Sequence, residues 1–325
     1  MDDTQNDKMA VDKIVKDISS KGKKKRMKMS THEAVWGYIF ISPWILGMIL
    51  FIGGPIIASL ILAFCKWDLI TPPQWVGLEN FRQMFFHDPK FWKSLWNTFY
   101  YTLFSVPLGI VGSIIVALLM NQDWKTVRLL RTIYYLPSVT AGVASAIIWL
   151  WLFNPDFGLI NYFLRLIGVS HPPLWLASET WSKPALVIMS LWGVGGNMII
   201  YLAGLQGIPP QLYEAAEIDG AGIFQKFRYV TFPMLTPVIF FNLIVSIVWS
   251  FQIFTQVYVM TQGQGGPADS TLVLVLYIYQ KAFKFHQMGY GSALAWVLFI
   301  VILIFTLIQF KFAGGWVYYE GELKK

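Results

Sequence analysis

Apolar residues divide the chain into long hydrophobic segments separated by shorter polar ones. Each hydrophobic segment has about 20 mostly apolar residues, the length that an α-helix needs to cross the hydrocarbon of a bilayer. A helix is expected because that environment has no water to bind open backbone groups. The pattern predicts an all-α membrane protein with six transmembrane helices, at about Pro43–Phe64, Thr98–Met120, Ile133–Phe153, Pro184–Gln206, Thr236–Met260 and Gly291–Phe310.

A polar segment rich in small residues interrupts this pattern between the fourth and fifth predicted spans. A short helix is predicted to begin at Pro209-Pro210 and to end near Gly220, since proline is tolerated in a first turn and glycine often follows a last one. One face of this helix carries small side chains, including Ala215 and Ala216, and would let another protein approach the backbone closely. The segment reads Glu-Ala-Ala-Glu-Ile-Asp-Gly over residues 214–220.

The composition supports the membrane class. Hydrophobic residues make up 56% of the chain and charged residues 13%, whereas about a quarter of an average soluble protein is charged. Much of the net charge of +7 lies in residues 21–28, and positive charge beside a first span predicts a cytoplasmic amino terminus and contact with anionic membrane lipid. No separate basic soluble domain is predicted, so no nucleic-acid partner is expected.

The polar segment resembles a signature of known membrane proteins. After Glu-Ala-Ala and three further residues comes Gly220, and the chain continues through Val230 and Phe232 to Pro233. This order resembles the Glu-Ala-Ala signature in the membrane-spanning permeases of bacterial binding-protein-dependent ABC importers. That family usually has Ile and Leu where this chain has Val230 and Phe232, and both changes keep the position apolar.

Two flanking stretches, at residues 219–222 and 265–268, resemble the carbohydrate branch of that family, whose members import maltose and other sugars. The resemblance extends from about Trp36 to Lys311. It implies a type I ABC importer permease in the bacterial cytoplasmic membrane that translocates a sugar or oligosaccharide. The implied partners are an ABC ATPase dimer, an extracytoplasmic sugar-binding protein and a second, related permease in a pseudo-twofold heterodimer. The chain itself is expected to be no enzyme and to hold no cofactor.

The resemblance assigns the polar segment to coupling with the ATPase. The helix would sit in a cleft of the ATPase and convert nucleotide-driven closure into movement of the membrane helices. Small side chains would allow close approach, a carboxylate would make a polar contact, and a proline would set how the chain re-enters the membrane. The expected coupling residues are Glu214, Ala215, Ala216, Asp219, Gly220 and Pro233.

These assignments predict three parts of the chain. Residues 1–33 are predicted to be a mobile, basic cytoplasmic tail, because they have too few apolar residues to form a core. Residues 34–312 form the transmembrane permease domain, with the cytoplasmic coupling loop at 207–233. Residues 313–325 are predicted to be a cytoplasmic tail, since an even number of spans leaves both termini on the same side.

Polar side chains within two predicted spans are candidates for binding substrate. Polar groups in hydrocarbon are costly, so they usually line a cavity or pair with neighbours, and pairing alone is the alternative interpretation here. Aromatic faces and amides are the groups that bind sugars. Together with the resemblance to maltose-type permeases, this gives the candidates Ser190, Gly193, Val194, Asn197, Trp249, Ser250, Gln252 and Ile253. The relatives' asparagines are replaced at Ser190, Ser250 and Ile253, so the same sugar is not implied.

Other classes of function lack their expected motifs. No phosphate-binding Gly-x-x-x-x-Gly-Lys-[Ser/Thr] and no Gly-x-Ser-x-Gly occurs. The four histidines are scattered and Cys65 is the single cysteine, so neither a metal site nor a disulfide is expected. A permease for glycerol phosphate or another polyol remains an alternative, although no Lys or Arg lies well within a predicted span. A secondary carrier is a further alternative, but its usual repeated halves and intramembrane carboxylates are not visible.

Overall fold

Long apolar helices joined by shorter ones make up most of the chain. A computed structural model describes residues 29–122 and 124–318. In these ranges the α-helices, labelled in chain order, are α1 Met29–Met48, α2 Gly54–Leu62, α3 Glu79–Arg82, α4 Pro89–Met120, α5 Val127–Val139, α6 Gly142–Leu152, α7 Leu159–Leu166, α8 Ser182–Leu191, α9 Val194–Gln206, α10 Pro210–Ile218, α11 Ile223–Lys226, α12 Phe232–Phe251, α13 Thr255–Met260, α14 Leu274–Tyr279 and α15 Met288–Trp316.

A small hairpin departs from the helical pattern. Strands β1 (Cys65–Lys66) and β2 (Gln74–Trp75) pair antiparallel, with Cys65 opposite Trp75. The other regular elements are the π-helical turns Ile49–Gly53, Gln83–His87, Phe227–Thr231 and Gln280–Lys284 and the 3₁₀ turn Pro267–Asp269. Prolines follow closely after two of the π-helical turns, at Pro55 and Pro233. A widened turn accommodates a ring that cannot donate a backbone hydrogen bond.

The predicted spans are confirmed as long or paired apolar helices. Four continuous stretches are long and apolar enough to cross a membrane, namely Glu33–Leu62, Pro89–Met120, Ile223–Met260 and Met288–Trp316. Two bent pairs, α5 with α6 and α8 with α9, raise the number to six if each pair counts as one span. All six predicted segments overlap these helices, which confirms the all-α membrane class.

The third predicted span is not one straight helix. Helices α5 and α6 meet at an angle of 101°. The break follows Pro137, and Thr140 and Ala141 have extended backbone with ψ of 134°. A proline within a helix removes one backbone hydrogen bond and favours a kink or an end. The two arms differ in composition, since α5 carries Arg128, Arg131 and Thr132 whereas α6 is almost wholly apolar.

The chain divides into two units at residues 58 and 59. In the first unit, α1 carries Pro43, and its side chains from Glu33 onward are largely exposed. Helix α1 begins at Met29, within the segment predicted as a tail, while residues 1–28 lie outside the described part of the chain. At the other end α15 runs on to Trp316, past the predicted limit at 312, and residues 319–325 are likewise not described.

In the second unit, α4 is the central helix and packs against α8, α9 and α12. A large hydrophobic cluster surrounds its first half, with buried side chains such as Phe91, Phe251 and Leu294. A second cluster surrounds its last turns and includes Met120 and Leu205. The two clusters fix the two ends of α4 and leave a more polar region beside its middle.

Helix α9 approaches α5 so closely that only glycine fits at the contact. A Cβ atom on Gly195 would lie 1.7 Å from the carbonyl oxygen of Tyr134. Gly204 makes a second close contact, since its Cβ would lie 3.0 Å from side-chain atoms of Leu235 and Val238. Small residues at helix contacts allow the backbones to pack within van der Waals distance, which is a main source of helix association in membranes.

Asp88 joins three elements at the first end of α4. One carboxylate oxygen accepts hydrogen bonds from the backbone N–H groups of Lys90 and Phe91, at 3.0 and 3.3 Å, and so caps α4. The other oxygen accepts the hydroxyls of Tyr277 in α14 and Tyr290 in α15, each at 2.5 Å. Burial raises the pKa of the Tyr277 hydroxyl above its ordinary value, and the hydrogen bond to Asp88 raises it further. Tyr277 is therefore a neutral donor, and the carboxylate holds this end of the helices together.

We predict that Gly195→Val destabilises the bundle, because the added side chain would overlap the Tyr134 carbonyl and force α9 away from α5. Overpacking of this kind costs about 1–3 kcal/mol. The thermal unfolding midpoint of the detergent-solubilised protein should fall. Gly109→Ala is the matched control, since a Cβ there meets nothing within 4 Å. An unchanged midpoint in Gly195→Val would contradict the described packing.

Candidate functional site

A cavity of about 550 Å³ lies beside the middle of α4, between α8–α9 and α12–α13. It is within the range of about 300–1,000 Å³ that small-molecule sites occupy. All eight predicted substrate residues line it, and they come from the two spans that the sequence singled out. The lining residues include Tyr101, Ser105, Ser113, Ser190, Gly193, Val194, Asn197, Ser246, Trp249, Ser250, Gln252, Ile253, Thr255 and Gln256.

Helix breaks open this cavity. Helix α8 ends at Leu191 and α9 begins at Val194 after a bend of 43°, so Gly193 lies at the break. Helix α12 ends at Phe251 and α13 begins at Thr255, and Gln252 and Phe254 depart from helical backbone angles. At each break the side chains leave the helix surface in new directions, and here they point into a shared space.

Several polar groups in the cavity have no hydrogen-bond partner among the described residues. These are the side-chain amides of Asn197, Gln252 and Gln256 and the indole N–H of Trp249, all of which line the cavity. Trp249 is 71% exposed, so its ring face is open. Amides both donate and accept, and an aromatic ring offers a flat apolar surface. The cavity can therefore bind a ligand that carries hydroxyls and C–H faces.

Two of the predicted hydroxyls are already engaged within the chain. The Ser250 hydroxyl donates to the Thr102 hydroxyl at 3.0 Å and lies 2.9 Å from the carbonyl oxygen of Ile247. The Ser190 hydroxyl donates to the carbonyl oxygen of Val187 at 2.6 Å. The Ser250–Thr102 contact joins α12 to α4 and fits the alternative interpretation, in which a polar side chain ties neighbouring helices together, whereas the other two contacts lie within one helix. They make both serines weaker candidates for direct contact than the free amides.

Helix α4 contributes a wall that the sequence analysis missed. Tyr101, Ser105, Gly109 and Ser113 follow each other at four-residue intervals and all line the cavity. Residues at this spacing share one face of a helix. This periodic polar stripe is the signal that could have identified the wall.

A smaller cavity of about 220 Å³ adjoins the first and shares five lining residues with it. It extends to the break between α5 and α6, where Ser138, Thr140 and Ser145 line it. The polar region thus reaches three interrupted helices. No group of three or more His, Cys, Asp or Glu side chains is arranged to hold a metal ion in residues 29–122 and 124–318.

The predicted helix in the polar segment is present as α10, and a specific cap ends it. Gly220 has a φ of +76°, a left-handed conformation that favours glycine. The N–H of Ala221 donates to the carbonyl of Ala216 at 2.8 Å, and that of Gly220 donates to Glu217 at 2.9 Å. This pair of bonds is the Schellman pattern. The glycine is therefore required by the turn itself, in addition to any close approach by a partner.

The predicted coupling residues lie together on and around α10, and most are accessible. Glu214, Ala215, Asp219 and Gly220 are exposed, whereas Ala216 and Pro233 are half-buried. Pro233 lies in the first turn of α12, where its missing N–H costs little.

Two contacts fix this segment to α11 and to the start of α12. Glu217 forms an ion pair with Lys226 in α11. The Tyr213 hydroxyl lies 3.0 Å from the hydroxyl of Thr231, the residue before α12. Neither contact is evident from the sequence.

The sequence analysis also missed an apolar tip beside this cap. Ile218 is 88% exposed, Ile223 is 90% exposed and Phe224 is 77% exposed. They flank the turn at Gly220. Large apolar side chains grouped on a surface mark an interaction site more often than single ones do.

Comparison with known proteins gives the family. Residues 109–313 match the family described as "Binding-protein-dependent transport system inner membrane component". The chain is 44% identical over 287 residues to the probable ABC transporter permease protein YesP of Bacillus subtilis, covering 88% of this chain and 93% of that protein. It is 35% identical to the lactose transport system permease protein LacF of Rhizobium radiobacter, with 88% and 96% covered. Identity to the arabinooligosaccharides transport system permease protein AraP of Bacillus subtilis is 34%, with 88% and 90% covered.

A solved structure shares the fold. It is described as a bacterial ABC transporter involved in the import of the acidic polysaccharide alginate, and one of its chains superposes with a TM-score of 0.76. Sequence identity is 24%, and the match covers 87% of this chain and 96% of that one. The predicted type I importer permease architecture is therefore confirmed.

The family match and the extent of identity agree with the fold and confirm that the chain is a transport subunit and not an enzyme. The chain belongs to the family of inner-membrane permease components of binding-protein-dependent ABC transport systems.

Proposed function

We propose that this permease translocates a sugar or oligosaccharide through the cavity beside α4, driven by an ATPase that docks on α10. The observation that carries this proposal is the group of free amides and the open indole in a cavity at the helix breaks. The relatives named for lactose and arabinooligosaccharide transport support the substrate class. Delivery by an extracytoplasmic binding protein and ATP hydrolysis on a separate subunit accord with the family.

The chemistry of the cavity suits a polyhydroxylated ligand. Asn197, Gln252 and Gln256 supply donors and acceptors without having to break a bond within the described chain. The face of Trp249 can pack against the C–H surface of a sugar ring. Ser190 and Ser250 support the walls, because their hydroxyls bond within the chain. Gly193, Val194 and Ile253 shape the space without adding polar groups.

The docking surface for the ATPase combines the predicted coupling residues with the apolar tip. Glu214 and Asp219 supply exposed carboxylates, while Ile218, Ile223 and Phe224 supply apolar contact area. Interfaces gain most of their binding energy from a few large buried side chains. In this proposal the tip inserts into the ATPase, and the carboxylates fix its orientation.

A second permease subunit would complete the translocation path. The cavity is open, and its lining from this chain comes from α4, α8–α9 and α12–α13. An ATPase dimer offers two equivalent docking clefts, and this chain supplies one helix for them. We therefore propose a pseudo-twofold pair formed with a related permease.

The cavity predicts the effect of two substitutions on sugar uptake. Trp249→Ala removes the apolar platform, and Asn197→Leu removes an amide at similar volume. Each should raise the half-saturation concentration about tenfold, equivalent to about 1.4 kcal/mol of binding. Uptake should be measured in cells that carry the whole transporter. Trp151→Ala is a control, because Trp151 is an exposed tryptophan of α6 that lines neither cavity. Unchanged kinetics in both cavity variants would refute the assignment.

The cap at Gly220 predicts a graded loss of coupling. Gly220→Leu should insert normally in the membrane but abolish uptake, because leucine is strained at a φ of +76° and adds bulk where the partner approaches. Gly220→Asn tolerates this conformation better and should keep part of the activity if the turn is what matters. Equal loss in both variants would show that close approach dominates. Normal uptake by Gly220→Leu would argue against the coupling assignment.

The apolar tip predicts a loss of assembly. Ile223→Asp places a charge in the proposed interface and should reduce the amount of ATPase that co-purifies with the permease by about tenfold or more. Tyr229→Asp provides a comparison on a neighbouring exposed residue outside the tip. If the ATPase is retained equally by both variants, the tip is not the docking surface.

A further inference from the structure

Two lysines lie at the end of the bundle opposite α10 and have no carboxylate partner within 4 Å among the described residues. Lys183 is in the first turn of α8 and Lys93 is near the start of α4. Helix α4 shows that the two ends are opposite. Its last residue, Met120, packs in the same cluster as Ile208, just before α10, whereas Lys93 lies near its first residue. In the orientation proposed above, both lysines face the outside of the cell.

The contacts of these lysines are to neutral groups. The Lys183 ammonium lies 3.5 Å from the side-chain oxygen of Asn97 and 5.2 Å from the ring centroid of Tyr100. The Lys93 ammonium donates to the carbonyl oxygen of Ala268. Lys183 is half-buried, and a partly buried charge without a counter-charge is unfavourable.

Two of the three nearby carboxylates have other partners. Asp269 pairs with Lys90 at 3.0 Å, and Asp88 already accepts two backbone N–H groups and two tyrosine hydroxyls. Glu179 precedes α8, is exposed, and forms no ion pair with a described residue. Lys93 and Lys183 therefore carry charges that no carboxylate of the described residues contacts, and an ammonium in this state can bind a negatively charged ligand group.

Both lysines lie on the helices that line the cavity, nearer to the end of the bundle opposite α10, and on the same helix faces as lining residues. Lys183 precedes Ser190 by seven residues, which is two turns or about 10 Å along the helix. Asn97, the neighbour of Lys183, precedes Tyr101 by one turn. Ser190 and Tyr101 both line the cavity. A ligand group held at Lys183 would thus place the adjoining part of the ligand at the level of the cavity.

We propose that Lys183, together with Lys93, recognises a negatively charged group on the incoming substrate, so that the transported class is acidic sugars or sugar phosphates. Lys93 lies one helical turn before Asn97, the residue that contacts Lys183. This inference rests on the proposed function and narrows it. The predicted fourth span begins at Pro184, one residue after Lys183, whereas helix α8 of the bent pair begins at Ser182 and includes Lys183 in its first turn. Carboxylate and phosphate share the chemistry that an ammonium binds.

The test is uptake by cells in which the permease gene of the complete transporter is replaced by variants. The probes are labelled oligogalacturonates for the carboxylate, glycerol 3-phosphate for the phosphate, and neutral di- to tetrasaccharides. Lys183→Gln should lower uptake of the anionic probe at least tenfold at subsaturating concentration. Lys183→Arg, which keeps the charge, should retain most of it, and the exposed Lys284→Gln at the same end should have no effect. Co-purification of the ATPase checks that each variant assembles.

The outcomes separate this inference from the proposed function. Uptake of oligogalacturonates or of glycerol 3-phosphate, lost in Lys183→Gln and kept in Lys183→Arg, supports the inference and identifies which anion is recognised. Uptake of neutral sugars alone, unchanged in Lys183→Gln, overturns the inference and leaves the sugar permease standing. Anionic uptake equal in Lys183→Gln and the wild type also overturns it. Uptake of none of the probes by the assembled wild-type transporter counts against both.

Discussion

The need to satisfy backbone hydrogen bonds in hydrocarbon governs where this chain can be polar. A span can leave the helical conformation only where protein or a water-filled space receives the freed groups. The three interruptions, after α5 at Thr140, after α8 at Gly193 and after α12 at Gln252, all line the two adjoining cavities. The helix breaks therefore leave the cavities open, and the cavities in turn accommodate the backbone groups that the breaks leave without helical partners. The close contact at Gly195, two residues beyond one break, holds α9 against α5 and keeps the polar region next to the core of the bundle.

Hydrophobic length and one polar segment were enough to predict most of the architecture, because both are local properties of the sequence. The spans and the helix α10 were predicted in this way, whereas the eight cavity residues on the fourth and fifth spans came from their polar side chains together with the resemblance to maltose-type permeases. The wall from α4 was not, because Ser105 and Ser113 occur in an apolar run, and a lone serine in a helix can bond to its own backbone. Only the packing of α4 against α9, where the Ser113 hydroxyl donates to the Val194 carbonyl at 2.9 Å, shows which face it lines.

Boundaries and backbone angles were the least predictable features. The bend of 101° depends on the extended residues Thr140 and Ala141 after α5, and neither residue type marks a break by itself. The start of α8 at Ser182 places Lys183 in the first turn of a helix, one residue before the predicted start of the fourth span. Gly220 was expected at a close contact for its size, but its positive φ gives it a separate role in the chain's own turn. A glycine can be required for its small size or for its backbone conformation, and the residue type alone does not show which of the two applies.

With an ATPase docked on α10 as proposed above, the attachment of α10 would determine how much of the ATPase's movement reaches the membrane. A loop without internal contacts would absorb a displacement by changing its own shape. Here the Schellman turn, the ion pair of Glu217 with Lys226 and the contact of Tyr213 with Thr231 make α10, α11 and the first turn of α12 a stiff unit. Since α12 continues from that unit to Trp249 and Ser250 in the cavity wall, a tilt imposed at one end would become a lateral shift at the other. The size of the shift at the cavity would then depend on how much of α12 lies on each side of the point where it packs against α4.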